Sequence, residues 1–324
     1  MSESRDMPHA AKDFFAPYRE DPNLLGLLVR FRILNTHSDE DKRFISTLLS
    51  RLRRKQRYDG SVDGSVVGTC QILRRFSGLG VSPDKPGVES AIKWLRSIVA
   101  SGARLVPGPR KSVRLEGGFI PVPLEERDKY VKKETKFYQY DTLGGNWPDV
   151  RAAFANGLGF LGLELEALFR YKVSPEDSDI APVNERIMSM QLDDGSWPAP
   201  GAGGRVASTV MVLRALSGKE SLVKLGAAAS ALEFLSAHQA QSGHFVVRRT
   251  PGGPKKRLSR VAEAYIVETV SRFPGELAKE IVRKLSGSLL NERRSDGTWG
   301  RGPDRWLPTW RIVSAFARTG IVTP

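Results

Sequence analysis

The chain has a single cysteine, Cys70, among its 324 residues. An intrachain disulfide is therefore excluded, as is any metal centre built on several thiolates. No apolar run approaches the roughly eighteen residues that a membrane span requires. The first residues, ending in Lys12-Asp13-Phe14-Phe15, lack the apolar stretch of a signal peptide. A soluble, cytoplasmic protein without a transmembrane segment is the expectation. Strand-like alternation is missing too. Carboxylates are in short supply: 36 Asp and Glu stand against 50 Lys and Arg, for a net charge of +14. Such an excess suits a polyanion, an acidic lipid surface or a phosphorylated small molecule, or simply a well-solvated basic surface.

What the chain does have is a phrase that returns about every fifty residues, a period that signals a repeat architecture. A helix leads into an acidic or polar residue, a glycine, any residue and an aromatic, and a second helix follows. The copies are Leu143-Gly144-Gly145-Asn146-Trp147, Gln191-Leu192-Asp193-Asp194-Gly195-Ser196-Trp197, Gln239-Ala240-Gln241-Ser242-Gly243-His244-Phe245 and Ser295-Asp296-Gly297-Thr298-Trp299. Weaker copies stand at Asp59-Gly60-Ser61-Val62 and Gly117-Gly118-Phe119. Glycine suits a turn that needs positive φ or a close backbone approach, and the Asp or Ser before it suits hydrogen bonds to nearby amides. The aromatic is large enough to plug the gap between neighbouring repeats. Helical spacing predicts segments from Asn23 to Phe31, from a Ser38 cap to Gln56, and at 66–76, 87–100, 150–171, 183–190, 206–217, 221–238, 258–273, 275–291 and 308–319. Two loops interrupt them: Gly102 to Pro123, and Val246 to Arg257 with its run of basic residues. The expectation is an all-α chain of about six helical hairpins, with a polar N-terminus over 1–21 and one domain over 22–324.

On these residues the sequence resembles the squalene-hopene and class II terpene cyclases, whose QW repeats match Gln191 to Trp197, Gln239 to Phe245 and Asp296 to Trp299. The protein prenyltransferase β subunits share a related repeat with a Gly-Gly-Phe signature, which Gly117-Gly118-Phe119 resembles. The likeness runs from about Lys42 to Thr319. It implies an α/α toroid, inner and outer helix rings around a central cavity.

The family's chemistry does not come across with the scaffold. Class II cyclases protonate an alkene with the middle Asp of an Asp-x-Asp-Asp motif, and the matching stretch here, Gly204-Arg205-Val206-Ala207-Ser208-Thr209, has no carboxylate. Asp193-Asp194 belongs to the turn, and Ser38-Asp39-Glu40-Asp41 is explained as a helix cap. Cys70, His238 and His244 occupy no zinc-binding motif, so no metal and no cofactor are expected. Arginines stand where the acids would: Arg205, Arg257 and Arg260, Arg305 and Arg311, at the beginnings of successive inner helices. If those helices are placed as the resemblance implies, a basic mouth would bind the anionic end of a ligand, with Tyr265, Trp306 and Trp310 lining the cavity. Glu263 is the first candidate for an acid and Asp304 the second, with Glu268 and Asp63 behind them. The leading functional expectation is an isoprenoid or isoprenoid diphosphate bound in the cavity. The alternatives are a non-catalytic toroid for nucleic acid or another polyanion, and a toroidal polysaccharide lyase or hydrolase. Peripheral membrane contact and the oligomeric state stay open.

Overall fold

A computed structural model describes residues 14–19, 24–62, 64–102, 157–223, 226–248, 253–299 and 306–323. In chain order its elements are α1 (Ala16–Arg19), α2 (Leu24–Val29) running into a π-helical turn (Arg30–Leu34), α3 (Asp39–Lys55), α4 (Val66–Gly78) and α5 (Pro86–Gly102). Then come α6 (Leu158–Arg170), α7 (Ala181–Ser189), α8 (Gly201–Leu216), α9 (Glu220–Val223) and α10 (Gly226–Ala237). Strands β1 (Val246–Arg248) and β2 (Lys255–Arg257) precede α11 (Arg260–Val270), α12 (Glu276–Asn291) and α13 (Trp306–Arg318). Ser38 starts α3 through a capping box with Asp41: hydroxyl to amide at 3.1 Å, carboxylate to amide at 3.0 Å.

The helices fall into two kinds, and sequence decides which. α6 is buried at every position from Leu158 to Phe169, and α8 is buried throughout from Val206 to Leu216. A helix apolar all round belongs inside. α12 instead buries Ala278, Ile281, Val282, Leu285, Ser286 and Leu289, one stripe at helical spacing, and leaves the other positions exposed or half-buried. The interior helices pack in succession: α4 on α6, α6 on α8, α8 on α11, α11 on α13, and α13 on α2. From there Leu28 touches Gly78 at the end of α4, and Arg32 Nε donates to the Gly78 carbonyl at 2.5 Å. The order of contacts thus returns to its start. One continuous cluster of apolar side chains runs through all of them.

Four turns of the repeat are described, and their hydrogen bonds explain the phrase. Gln56 Nε2 donates to Gly60 O (2.9 Å) in its own turn and to Gly87 O (2.8 Å) at the next flanking helix. Gln191 bridges Gly195 O and Ala227 O (both 2.8 Å), and Gln239 bridges Gly243 O (2.9 Å) and Ile281 O (2.8 Å). In the last turn Arg293 substitutes for glutamine, donating to Gly297 O (3.2 Å) and Phe14 O (2.9 Å). Asp59, Asp194 and Asp296 each accept from the amide and hydroxyl two residues on. The glycines lie against the neighbouring repeat: a Cβ on Gly195 would stand 2.2 Å from Ser230 O, and one on Gly243 1.9 Å from Lys284 O, both at positive φ. Trp197 and Trp299 are fully buried behind them, each indole N–H donating to a helix-end carbonyl.

Three expectations need correction. The segment from Val246 to Arg257 is not a plain loop: β1 and β2 pair antiparallel, Val247 opposite Lys256, and three residues per strand are too few to show alternation. The helix expected over 221–238 is two, α9 and α10. The helix expected from Val150 begins at Leu158, after Gly157 at φ +84°. The loop after Gly102 and the turns at 117–119 and 143–147 lie outside the described residues. Among those described, no helix is long and apolar enough to cross a membrane.

Candidate functional site

The interior helices start at the repeat turns and end around a cavity of about 730 Å³. Eight arginines line it: Arg32, Arg74, Arg75, Arg170, Arg214, Arg272, Arg311 and Arg318. They form a gradient of depth. Arg214 and Arg311 are buried at the floor, both stacked on the Tyr265 ring, at 4.7 and 4.3 Å from its centroid. Arg74, Arg75, Arg170 and Arg272 make half-buried walls, and Arg32 and Arg318 are exposed at the rim. Leu28, Ile33, Trp310 and Ala317 add an apolar side.

Two buried glutamates hold the floor together. Glu166 accepts from Arg214 (2.7 Å) and Arg170 (2.8 Å) and pairs with Arg74 (3.0 Å), with Arg272 at 4.0 Å. Glu268 pairs with Arg214 and Arg272, and Arg311 Nε is 3.8 Å away. Burial alone would keep Glu166 protonated, but Arg214, Arg74, Arg170 and Arg272 hold its pKa down to about 2. Glu268 is likewise held well below the usual range, burial being outweighed by Arg214, Arg272 and Arg311. The arginines crowd one another in turn. Arg170 is pushed down to about 9 by burial and by Arg272, and Arg311 to about 10 by burial and by Arg214. Both remain charged at neutral pH. Among the described residues, eight arginines against two glutamates leave a formal charge of +6 around one cavity. Cations near helix C-termini are favourable, at about 0.3–1 kcal/mol each, but that does not offset an excess of this size in a confined space.

The residues singled out in the sequence divide between this cavity and the turns. Trp310 and Arg311 line the cavity, and Tyr265 lies beneath Arg311. Arg205, Arg257, Arg260 and Glu263 sit at the other end of the interior helices, among carboxylates. Arg205 pairs with Asp194 at 2.5 Å. Arg257 bridges Glu263 and Glu292 (both 2.6 Å), and Arg260 reaches Glu292 at 2.8 Å. Glu263 is fully buried and accepts from the Phe245 amide (3.1 Å), with His244 Nδ1 at the same distance. In the other turns a threonine hydroxyl accepts from the corresponding amide, Thr69 from Val62, Thr209 from Trp197 and Thr309 from Trp299. Trp306 opens α13; Asp304, Arg305 and Asp63 lie outside the described residues. Cys70 is buried in the core of α4, and His238 packs on Phe234. Among the described residues, Arg205, Arg257 and Arg260, expected at a basic mouth, are thus held in ion pairs, and the excess of arginine is at the helix ends. The arginines that create it follow a motif of their own, an arginine shortly before a glycine: Arg74-Arg75-Phe76-Ser77-Gly78, Arg214-Ala215-Leu216-Ser217-Gly218, Arg272-Phe273-Pro274-Gly275 and Arg318-Thr319-Gly320.

No family model matches the sequence, and no curated protein matches it. Solved structures do. A protein from Actinoplanes superposes with a TM-score of 0.55 at 16% identity, over 95% of this chain and 90% of that one. The type II terpene cyclase MstE from Scytonema, without ligand, gives 0.53 at 13% identity over 96% and 89%. An MstE variant in complex with its substrate, geranylgeranyl dihydroxybenzoate, gives 0.53 at 12% identity over 92% and 86%. The chain has the fold of a type II terpene cyclase. Gly204 to Thr209, the stretch that the sequence resemblance sets against the Asp-x-Asp-Asp motif, contributes Arg205 to an ion pair and Thr209 to a turn.

Proposed function

We propose that this protein is an α/α toroid of the terpene cyclase and prenyltransferase kind, one domain from residue 22 onward, that takes an isoprenoid diphosphate into its central cavity. The observation that carries the reading is the eight-arginine cavity at the ends of the interior helices, polar on one side and apolar on the other. A diphosphate would meet the guanidinium groups, which offer paired N–H donors to phosphate oxygens. The prenyl chain would lie along Leu28, Ile33 and Trp310. The fold-level likeness to MstE, crystallised with a geranylgeranyl compound, supports the isoprenoid part of the reading. A concave site favours such a small amphiphile over nucleic acid, which calls for an extended basic face.

The cavity glutamates are both held ionised, so neither is an alkene-protonating acid at neutral pH. The test is equilibrium binding of geranylgeranyl diphosphate to the purified protein, with and without Mg²⁺, followed by mass spectrometry of the extracted lipids. Saturable binding that Arg311→Leu weakens is the expected result. Failure to bind under either condition would sink the isoprenoid reading.

A further inference from the structure

We infer that the cavity grips a diphosphate directly through Arg32, Arg272 and Arg318, without a bridging divalent cation. The inference deepens the proposed function by naming the headgroup and its ligands, and it stands on the unused donors and the occupied acceptors of the cavity.

The acceptors come first. A metal-bridged diphosphate needs protein carboxylates with oxygen lone pairs turned to the metal. Among the described residues two carboxylates stand at the cavity, and both are held in ion pairs: Glu166 with Arg74, Arg170 and Arg214, and Glu268 with Arg214 and Arg272. Freeing either would strip arginines of their counter-ion inside the protein, a strongly unfavourable exchange.

The donors point the other way. A guanidinium carries five N–H groups. Arg318 uses one, to Ser271 Oγ at 2.8 Å, and has no carboxylate partner among the described residues. Arg32 donates to the carbonyls of Ser77 and Gly78, also without a carboxylate. Arg272 reaches Glu268 and Ser217 Oγ, while its buried Nε has no hydrogen-bond partner among the described residues. All three line the cavity. They belong to three separate stretches of chain, the π-helical turn, the residues just after α11, and the end of α13, brought to one cavity by the fold. Glu166 and Glu268 pair with Arg74, Arg170 and Arg214, whose charges add to the positive field of the cavity.

Calorimetry with inorganic pyrophosphate and the intact protein in EDTA-containing buffer tests this. Pyrophosphate should bind with no divalent metal, and excess Mg²⁺ should weaken binding by sequestering the anion. Arg32→Gln and Arg318→Gln, both at exposed positions, should each weaken it by about tenfold, the scale of one charge-assisted contact. Melting temperatures unchanged by the substitutions keep the comparison clean. Binding that appears only with Mg²⁺, or that the double variant leaves intact, overturns the inference, as does no binding at all. Geranylgeranyl diphosphate and ADP, run beside pyrophosphate, separate the sources of the diphosphate. If ADP and pyrophosphate bind but the prenyl compound gains nothing over them, the headgroup site stands and the isoprenoid reading fails. If the prenyl compound binds while pyrophosphate requires Mg²⁺, the reverse holds.

Discussion

Glu166 and Arg214, 48 positions apart, meet at 2.7 Å on two adjacent interior helices, both side chains almost wholly out of water. Neither would tolerate that burial alone. Glu166→Gln removes the charge and leaves Arg74, Arg170 and Arg214 facing one another. The expected loss is about 3–5 kcal/mol in denaturant unfolding, the range for breaking a buried pair. Pyrophosphate should recover more stability in this variant than in the parent, since it replaces the missing negative charge. Equal thermal shifts in the two proteins would refute the coupling.

Two glutamates two residues apart on α6 should drive stability in opposite directions with pH. Glu164 is buried, makes no ion pair or hydrogen bond among the described residues, and is pushed up to about 8 by burial alone. Its folded form binds a proton more tightly than the unfolded chain does, so its contribution is most favourable below pH 4.5 and is lost as pH rises towards 8. Glu166, held at about 2, contributes above pH 4.5 and loses that contribution as pH falls towards 2. Glu164→Gln should therefore abolish the fall in stability between about pH 5 and 8 and leave the acid limb as it was, measured by urea unfolding across pH.

Gly243→Ala tests the close approach between repeats. The new Cβ would sit 1.9 Å from Lys284 O at φ +84°, so a loss of about 2 kcal/mol or more is expected. Gly287→Ala, within α12 and with nothing near its added Cβ, should instead gain about 0.5–1 kcal/mol. Thermal unfolding of the pair gives the contrast.

Glu263→Thr separates a structural role from a chemical one. Threonine holds the corresponding amide in three other turns, so the variant should keep that hydrogen bond and bind ligand normally, while losing stability with the Arg257 pair. If Glu263 also acts on a substrate, turnover will fall while binding holds.

The repeat was legible because each residue of the phrase does one physical thing. Gln191 must bridge two carbonyls, Asp194 must cap the turn, and Gly195 must admit the backbone of a neighbour. These requirements are local or involve the adjacent repeat, so they recur at a fixed spacing. The arginine cavity was hidden by the same regularity. An arginine in the last turn of a helix is what the helix dipole favours anyway, so Arg75, Arg170, Arg214 and Arg318 each pass for ordinary end-of-helix residues. That they converge is a property of helix order, which no single helix carries. Arg205 and Arg257 misled for the complementary reason: their partners Asp194 and Glu263 looked like turn and acid, and only the fold joins them into pairs.

The Tyr18 hydroxyl donates to the Gly297 carbonyl at 2.5 Å, while Pro17 covers Gly297 and Phe14 lies on Trp299. The last turn is thus completed by residues from the beginning of the described chain, as if they were the next repeat. An open stack of repeats melts from its ends, because the terminal units have only one neighbour. Here the two terminal units share one another, so there is no privileged place for unfolding to begin. The cost falls on folding time: the last turn cannot close until it meets residues 279 positions earlier, a contact of the long-range kind that slows folding.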